Sequence, residues 1–206
     1  MKIIGIAGVA GSGKDLFYKL LSEELDCHRF SLGDELKHEL KPHCLEHFGI
    51  DPTNCNRDEK DFIRPSLVAH ASIKRKLSEG RYWIEKVDPK IKNYYFESHY
   101  QGQDTKNKVC CITDIRYCEY GHDEVSWLKN ELNGILVHLS LFKNINSKRV
   151  LKLGANEDEK KYDPLLRELS DFSYECEFIE AKQEVVERKL KNSVIKDFLS
   201  QLKKIS

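Results

Sequence analysis

Met1-Lys-Ile-Ile-Gly-Ile-Ala-Gly8-Val-Ala-Gly11-Ser-Gly13-Lys14-Asp15 opens the chain and decides its fold. Ile3, Ile4, Ile6 and Ala7 form a short apolar run, mostly β-branched and free of charge, which is the pattern of a buried parallel strand. Gly8 to Lys14 then spells G-x-x-x-x-G-K, and Leu16, Phe17, Leu20, Leu21 and Leu25 follow at helical spacing. Strand, glycine loop and helix, in that order, are the setting a phosphate-binding loop requires. Phosphate oxygens must approach the backbone closely, so Gly8, Gly11 and Gly13 leave the loop bare. The N–H groups of Gly8, Val9, Ala10, Gly11, Ser12 and Gly13 then form an anion-binding concavity backed by the positive end of a helix. Lys14 adds a mobile point charge for the outer phosphates. The usual pattern places Ser or Thr after the lysine to hold magnesium. Here Asp15 and Leu16 follow instead, and a carboxylate binds magnesium directly or through water. The plainer alternative is a glycine turn between strand and helix with no ligand.

A length of 206 residues suits one domain, and 40% hydrophobic residues suffice for a real core. Lys plus Arg and Asp plus Glu both number 34, and a net charge of zero argues against a general nucleic-acid or membrane-surface binder. The 7 cysteines are odd in number and contain no C-x-x-C, so free thiols in a reducing cytoplasm are the simplest reading. His43, Cys44, His47 and Cys55 carry zinc-ligand side chains, but beyond His43 and His47 at i,i+4 their spacing fits no common zinc pattern. A solvated helix end explains them better. Lys2 and the apolar run after it imitate a signal peptide, yet they run straight into the glycine loop, which accounts for them. No apolar run approaches the length of a transmembrane helix.

Along the chain, Cys27 to Ser31 reads as a short strand, and Ser31-Leu-Gly-Asp34 as a capping box opening a helix over Asp34 to His47. Asp58 to Leu77 is amphipathic, with Phe62, Leu67, Ile73 and Leu77 as inward residues and Pro65 favouring a start near Arg64. A further helix from Tyr82 is expected to end at Asp88-Pro89, with a turn or two more between Ile91 and Tyr100. Gln101 to Lys108 is a polar loop, Val109 to Asp114 the second clear strand, and Tyr117 to Asn133 a helix built on Val125, Trp127, Leu128 and Leu132. Gly134 to Leu141 is a strand, Asn144 to Asn156 a basic loop, and Glu157 to Leu169 a helix interrupted at Pro164. Phe172 to Phe178 is the last strand. The closing helix, Lys182 to Ile205, turns Val186, Leu190, Val194, Phe198 and Leu202 inward. Strands alternating with helices predict an α/β fold: three layers, α/β/α, around a parallel sheet.

Val109 to Asp114 ends in an acid followed by Ile115-Arg116. Ligands of parallel sheets bind at the carboxyl ends of the strands, so Asp114 and Arg116 are expected at the same edge as the glycine loop. An acid there can hold magnesium or its water, and an arginine can grip phosphate through a bidentate fork. A strand-end turn with a surface salt bridge is the bland alternative.

Gly-Ser-Gly-Lys-Asp15, Ser-Leu-Gly-Asp-Glu-Leu-Lys37, Arg64 ahead of a helix, Tyr82-Trp83 and Ile112-Thr-Asp-Ile-Arg116 occur in an order that resembles the deoxynucleoside monophosphate kinases of tailed bacteriophages. Asn156-Glu157 and Asp171-Phe-Ser-Tyr resemble that family's closing segment. The resemblance implies a P-loop, nucleoside monophosphate kinase-like fold over residues 1–206, with a helical acceptor-binding insertion at about 37–100 and a lid-like loop at about 143–157. ATP would lie on Gly8 to Leu16, with magnesium held by Asp15, Asp114 or their waters. Lys14, Asp114 and Arg116 would serve the transfer itself. Asp34, Lys37, Arg64, Arg75 and Arg116 would bind the acceptor, and Lys148 and Arg149 would cover the transferring group. Arg75, in a Lys-Arg-Lys run, is equally readable as solvated surface, Asp34 as a helix cap, and His70 as a half-buried histidine with a backbone partner. The partners implied are small-molecule nucleotides, with room for a homodimer, in the cytoplasm (a host's, if the chain is viral). Two alternatives stay open: a phosphomevalonate kinase-like enzyme and a nucleotide-binding protein without transfer activity.

Overall fold

The computed structural model describes residues 1–100 and 108–205; most of the predicted polar loop 101–108 lies outside the described residues. β1 (Lys2–Ala7) is the predicted first strand, with β3 (Lys108–Ile115) parallel on one side and β4 (Ile135–Ile145) parallel on the other. β2 (Asp26–Phe30) adds parallel to the far edge of β3, and β6 (Phe172–Glu177) to the far edge of β4. The sheet is covered on both faces. α1 (Lys14–Ser22) and α8 (Lys196–Lys204) bury Phe17, Leu20, Leu21, Phe198 and Leu202 against Ile4, Ile6, Cys111 and Val137. The opposite face packs Cys110, Ile112 and Ile115 under α2 (Leu32–Phe48), α4 (Tyr82–Tyr100), α5 (Glu124–Ser126) and α6 (Glu157–Leu169). α3 (Arg57–Leu77) lies outside α2, and α7 (Gln183–Leu190) runs into α8 through one widened turn, Lys191–Ile195. This is the three-layer α/β/α P-loop fold that the sequence predicts. The helices after β1 and β3 cover opposite faces, so a crevice opens at the carboxyl ends of these central strands, where ligands of such sheets bind.

Several elements depart from expectation for identifiable reasons. α4 does not stop at Asp88-Pro89 but continues to Tyr100. Proline inside a helix costs about 3 kcal/mol, and Ile91 and Ser98 beyond it are buried against the fold, which offsets that cost. α6 likewise passes through Pro164 without a break, with Tyr162 and Leu166 buried on either side. α3 begins at Arg57 rather than near Arg64, because Asn56 and Glu59 close a capping box. Its inward stripe is Ile63, Leu67 and Arg75, whereas Phe62, Ile73 and Leu77 point to solvent. The segment Tyr117–Asp123 is not helical. The backbone N–H groups of Tyr117, Glu119 and Tyr120 are taken by two acids, Glu124 and Asp123, and the helix starts only at Glu124. The predicted loop 144–156 begins as a hairpin: β4 runs on to Ile145, turns through Asn146 and Ser147 at positive φ, and returns as β5 (Lys148–Leu151). At Phe142, β4 pairs with β6 on one edge and with β5 on the other. The hairpin therefore extends the β1 side of β4, beyond the end of β1 and over the glycine loop.

Glu39 ties the three helices between β2 and β3 together. Its carboxylate accepts from His70 Nε2 at 2.7 Å, Tyr82 Oη at 2.8 Å and Lys86 Nζ at 2.9 Å. His70 thus has a carboxylate partner and not the backbone one expected. Burial works against the charge, but the bonds from Lys86, His70 and Tyr82 hold Glu39 down at about 2. A carboxyl depressed on folding stabilises fully above its unfolded value and loses that contribution as pH falls through the folded one. The advantage of the wild type over Glu39→Gln should therefore shrink by about 1–2 kcal/mol between pH 6 and pH 2, a figure discounted for partial solvent access. Urea unfolding at a series of pH values checks this, and a pH-independent difference would contradict it.

Candidate functional site

The glycine loop, residues 8–13, leaves β1 and enters α1 through Gly13 at φ 98°. Gly8 has φ 133°, and a Cβ there would collide with the Leu139 carbonyl oxygen of β4. The loop can lie this close to the sheet only with hydrogen at that position. Lys14 Nζ donates to Gly8 O at 2.6 Å and to Val9 O at 2.9 Å, so the side chain folds back over its own loop. Burial lowers its pKa to about 8, and the nearby Arg116 charge adds to the effect, while Glu159, Asp114 and Asp15 oppose it. Asp15 is exposed in the first turn of α1, beside the loop, as a free-standing oxygen donor needs to be. Leu16 is turned toward the α1 side of the core.

Asp114, at the end of β3, is buried and already engaged. Its oxygens accept from Leu32 N at 2.9 Å, Gly33 N at 2.5 Å and Ser31 Oγ at 2.9 Å. It thereby closes the N-terminus of α2, whose cap is Ser31, as expected. A Cβ on Gly33 would stand 2.9 Å from Asp114 Oδ2, so the bare residue permits this approach. Asp34 turns away from that cap to Arg29 at 2.5 Å and Lys37 at 2.7 Å. Burial opposes its charge, but Lys37 and Arg29 hold its carboxyl below the ordinary range.

Arg116 leaves the sheet edge with its Nη1 3.3 Å from Glu159 Oε1 of α6. Its backbone N–H and that of Tyr117 donate to Glu124 Oε2 at 2.6 and 3.1 Å. Burial, aided by Asp114 and Asp123, pushes Glu124 up to about 8 against those two bonds. Arg75 comes to the same place from α3. Its guanidinium lies 3.9 Å from the Tyr117 ring centre, with Tyr120 and Tyr162 at 5.5 and 5.6 Å, and Nη2 donates to Glu119 at 2.7 Å. Arg75 is 4% exposed, and among the described residues its Nε and Nη1 have no hydrogen-bond partner. Lys161 of α6 also reaches Glu119, at 3.3 Å.

The fold therefore brings Lys14, Asp15, Asp114 and Arg116 together at the carboxyl ends of β1 and β3, while Arg75 is buried behind them against Tyr117, the residue after Arg116. Arg64 is not brought there. It is exposed and paired with Asp61 on its own helix at 2.7 Å. At 1.5 Å rise per residue it stands about 16 Å along α3 from Arg75. Lys148 and Arg149 sit on the hairpin strand β5. Arg149 stacks on Phe142 at 3.8 Å and pairs with Glu175, which Arg167 also engages. Lys152, just past β5, comes closer to the loop: a Cβ on Gly11 would be 2.5 Å from its Nζ.

A cleft of about 880 Å³ adjoins the loop on the β4 and β6 side, lined by Val9, Ser140, Lys152, Asp163, Arg167 and Glu175 among others. One wall carries a hydrogen-bonded row: Ser140 Oγ lies 3.3 Å from His138 Nδ1, and His138 Nε2 lies 3.0 Å from Asp163. Neither the cleft nor Glu159 is legible in the sequence, because both arise where α6 folds back over the loop. Away from the crevice, His43 and His47 pack ring to ring at 4.3 Å. Cys44 is buried with Leu40, Ile63 and Leu67. Among the described residues no group of three or more His, Cys, Asp or Glu could hold a metal ion, and no helix is long and apolar enough to cross a membrane.

No protein-family model and no curated protein matches the chain. Solved structures do. A shikimate kinase from Acinetobacter baumannii, in complex with shikimate, is 15% identical over 98% of this chain and 94% of its own, with a TM-score of 0.39. A dephospho-CoA kinase from Campylobacter jejuni is 17% identical over 96% of this chain and 99% of its own, with a TM-score of 0.43.

Proposed function

We propose that this chain is a kinase transferring the terminal phosphoryl group of ATP to a small phosphorylated acceptor, a (deoxy)nucleoside monophosphate, to give the diphosphate. The observation that carries the reading is Arg75: a buried guanidinium whose Nε and Nη1 lack a hydrogen-bond partner among the described residues, stacked on Tyr117, the residue after Arg116. A buried charge is retained at a cost unless it is paired, and a phosphate dianion suits the fork that Glu119 leaves partly open. The donor's polyphosphate lies on the loop amides and Lys14, and its nucleoside enters the cleft beside Val9. The acceptor phosphate lies between Arg75 and Arg116, so that Arg116 faces both substrates. The hairpin cations Lys152, Lys148 and Arg149 cover the donor from above. The order of motifs that resembles the phage enzymes supports the acceptor class.

Magnesium fits the donor set in part. Asp15 is an exposed carboxylate able to bind it directly, whereas Asp114, already accepting three hydrogen bonds, would act through water. When bound, the ion neutralises charge on the donor phosphates. Asp15→Ala should raise the magnesium concentration needed for half-maximal rate several-fold, and an unchanged magnesium titration would remove Asp15 from the metal site.

ADP release, assayed over a panel of deoxynucleoside and ribonucleoside monophosphates with phosphomevalonate included, tests the function. Turnover confined to nucleotides supports the reading. Turnover of phosphomevalonate alone, or of no acceptor, overturns it.

A further inference from the structure

Glu159 is the third residue of α6, after the cap Asn156. Glutamate at that position ordinarily bends back to the N–H of the cap residue, as Glu59 does to Asn56 at 2.8 Å in α3. Glu159 does something else. Its Oε2 accepts from Ala155 N at 2.9 Å and from Ala10 N, inside the glycine loop, at 3.3 Å. Its Oε1 faces Arg116 Nη1 at 3.3 Å, and the side chain is only 10% exposed. Gly154 brings the chain hard against its stem, since a Cβ there would stand 2.6 Å from Glu159 Cβ. A carboxylate thus stands against the loop's amide cradle and neutralises the arginine next to it.

On the reading of the loop as a donor-phosphate site, we propose that Glu159 is an internal stand-in for a phosphate, which a polyphosphate must expel in order to bind. The same expulsion releases Arg116 to face the transferring group. Two anions cannot share one amide cradle without repulsion, so the ligand competes with a tethered carboxylate, and its apparent affinity falls by the fraction of molecules in which Glu159 is seated. Because α6 follows directly on the β4–β5 hairpin, displacing Glu159 also loosens the start of α6 and links donor binding to the cations above the loop. Without donor, Arg116 stays neutralised, so the site is held incomplete until the nucleotide arrives.

The test uses inorganic tripolyphosphate with magnesium, which has neither base nor acceptor character. Calorimetric titration compares wild type, Glu159→Gln and Lys14→Ala, and residue-resolved hydrogen exchange follows the Ala155 amide in the wild type. Glutamine keeps the size and accepting oxygen of Glu159 but loses the charge. Glu159→Gln should bind about tenfold more tightly than wild type, Lys14→Ala should bind far more weakly, and the Ala155 amide should exchange faster when ligand is added. Equal or weaker binding by Glu159→Gln with no change at Ala155, while Lys14→Ala still loses binding, overturns the proposal and leaves the donor site standing. Undiminished binding by Lys14→Ala, or no binding by any of the three, overturns both. Should the variant fail to fold, the wild-type Ala155 exchange decides alone.

Discussion

Lys14→Ala should lower kcat/KM for ATP about 10²–10³-fold or more while moving the unfolding free energy by no more than about 1 kcal/mol. Phosphoryl transfer asks a protein mainly for positioning and charge neutralisation, so the one mobile cation on the loop carries a large share of the rate. The structure explains the small effect on folding. Lys14 Nζ has two backbone acceptors, Gly8 O and Val9 O, and burial has already pulled its pKa down to about 8. The fold holds an ammonium where it is poorly solvated. Deleting it loses two hydrogen bonds but also relieves that desolvation, and the two nearly cancel. Steady-state ADP release and urea unfolding of the same preparation make the comparison. Activity within about threefold of wild type would take the loop out of the mechanism.

Arg75→Ala should raise the acceptor KM and lower kcat/KM for the acceptor by about 2–4 kcal/mol, a factor of about 30 to 1,000, while the KM for ATP moves far less. A guanidinium that grips phosphate in ground and transition states supplies both binding and rate. Arg75→Lys should not restore activity, because a point charge neither forms the fork nor stacks on Tyr117 in the same way. Stability should fall as well, by about 1–3 kcal/mol, since the guanidinium fills space among three tyrosine rings and pairs with Glu119. Kinetics measured with each substrate varied in turn separate the two roles. Arg64→Ala serves as the internal comparison, with an expected change in acceptor kcat/KM under about threefold from its exposed place beside Asp61. A weakened ATP KM with an unchanged acceptor KM would place Arg75 on the donor side and move the acceptor pocket elsewhere.

The fold was legible because its cues are local and repeated. β1, the glycine loop and α1 are encoded within twenty-two residues, and β3 and β4 are apolar runs with no competing pattern. The helix read over Asp34 to His47 announced itself through the Ser31 cap, and in the structure it runs from Leu32 to Phe48 and ends at Gly49, at φ 66°. The two helices misread at proline share one cause. At Pro89 and Pro164 the local rule says stop, and burial of Ile91, Tyr162 and Leu166 overrules it. On α3 the chain offers two apolar stripes, and nothing within the helix says which one finds a partner.

What the sequence determined by itself is the glycine loop and its place at the end of β1. Gly13 and Lys14 need only their neighbours to shape the loop's entry into α1, because a strand, a bare turn and a helix start are short-range structures. An acid and an arginine at the end of β3 are also set locally, since a strand's last residues must emerge at its carboxyl edge. Tertiary structure decided what these groups do there. Asp114 spends its oxygens on the N-terminus of α2, eighty residues away in the chain. Arg75, one of three cations in a row, is chosen for burial because the rotation of α3 turns it onto Tyr117, while Lys74 lies half-buried over the Tyr82 ring and Lys76 is exposed. Glu159 reaches the loop only because α6 folds back across it. Each of these is a contact between residues distant in sequence, and its energy depends on burial and on the charges opposite, quantities that exist only once the chain has folded.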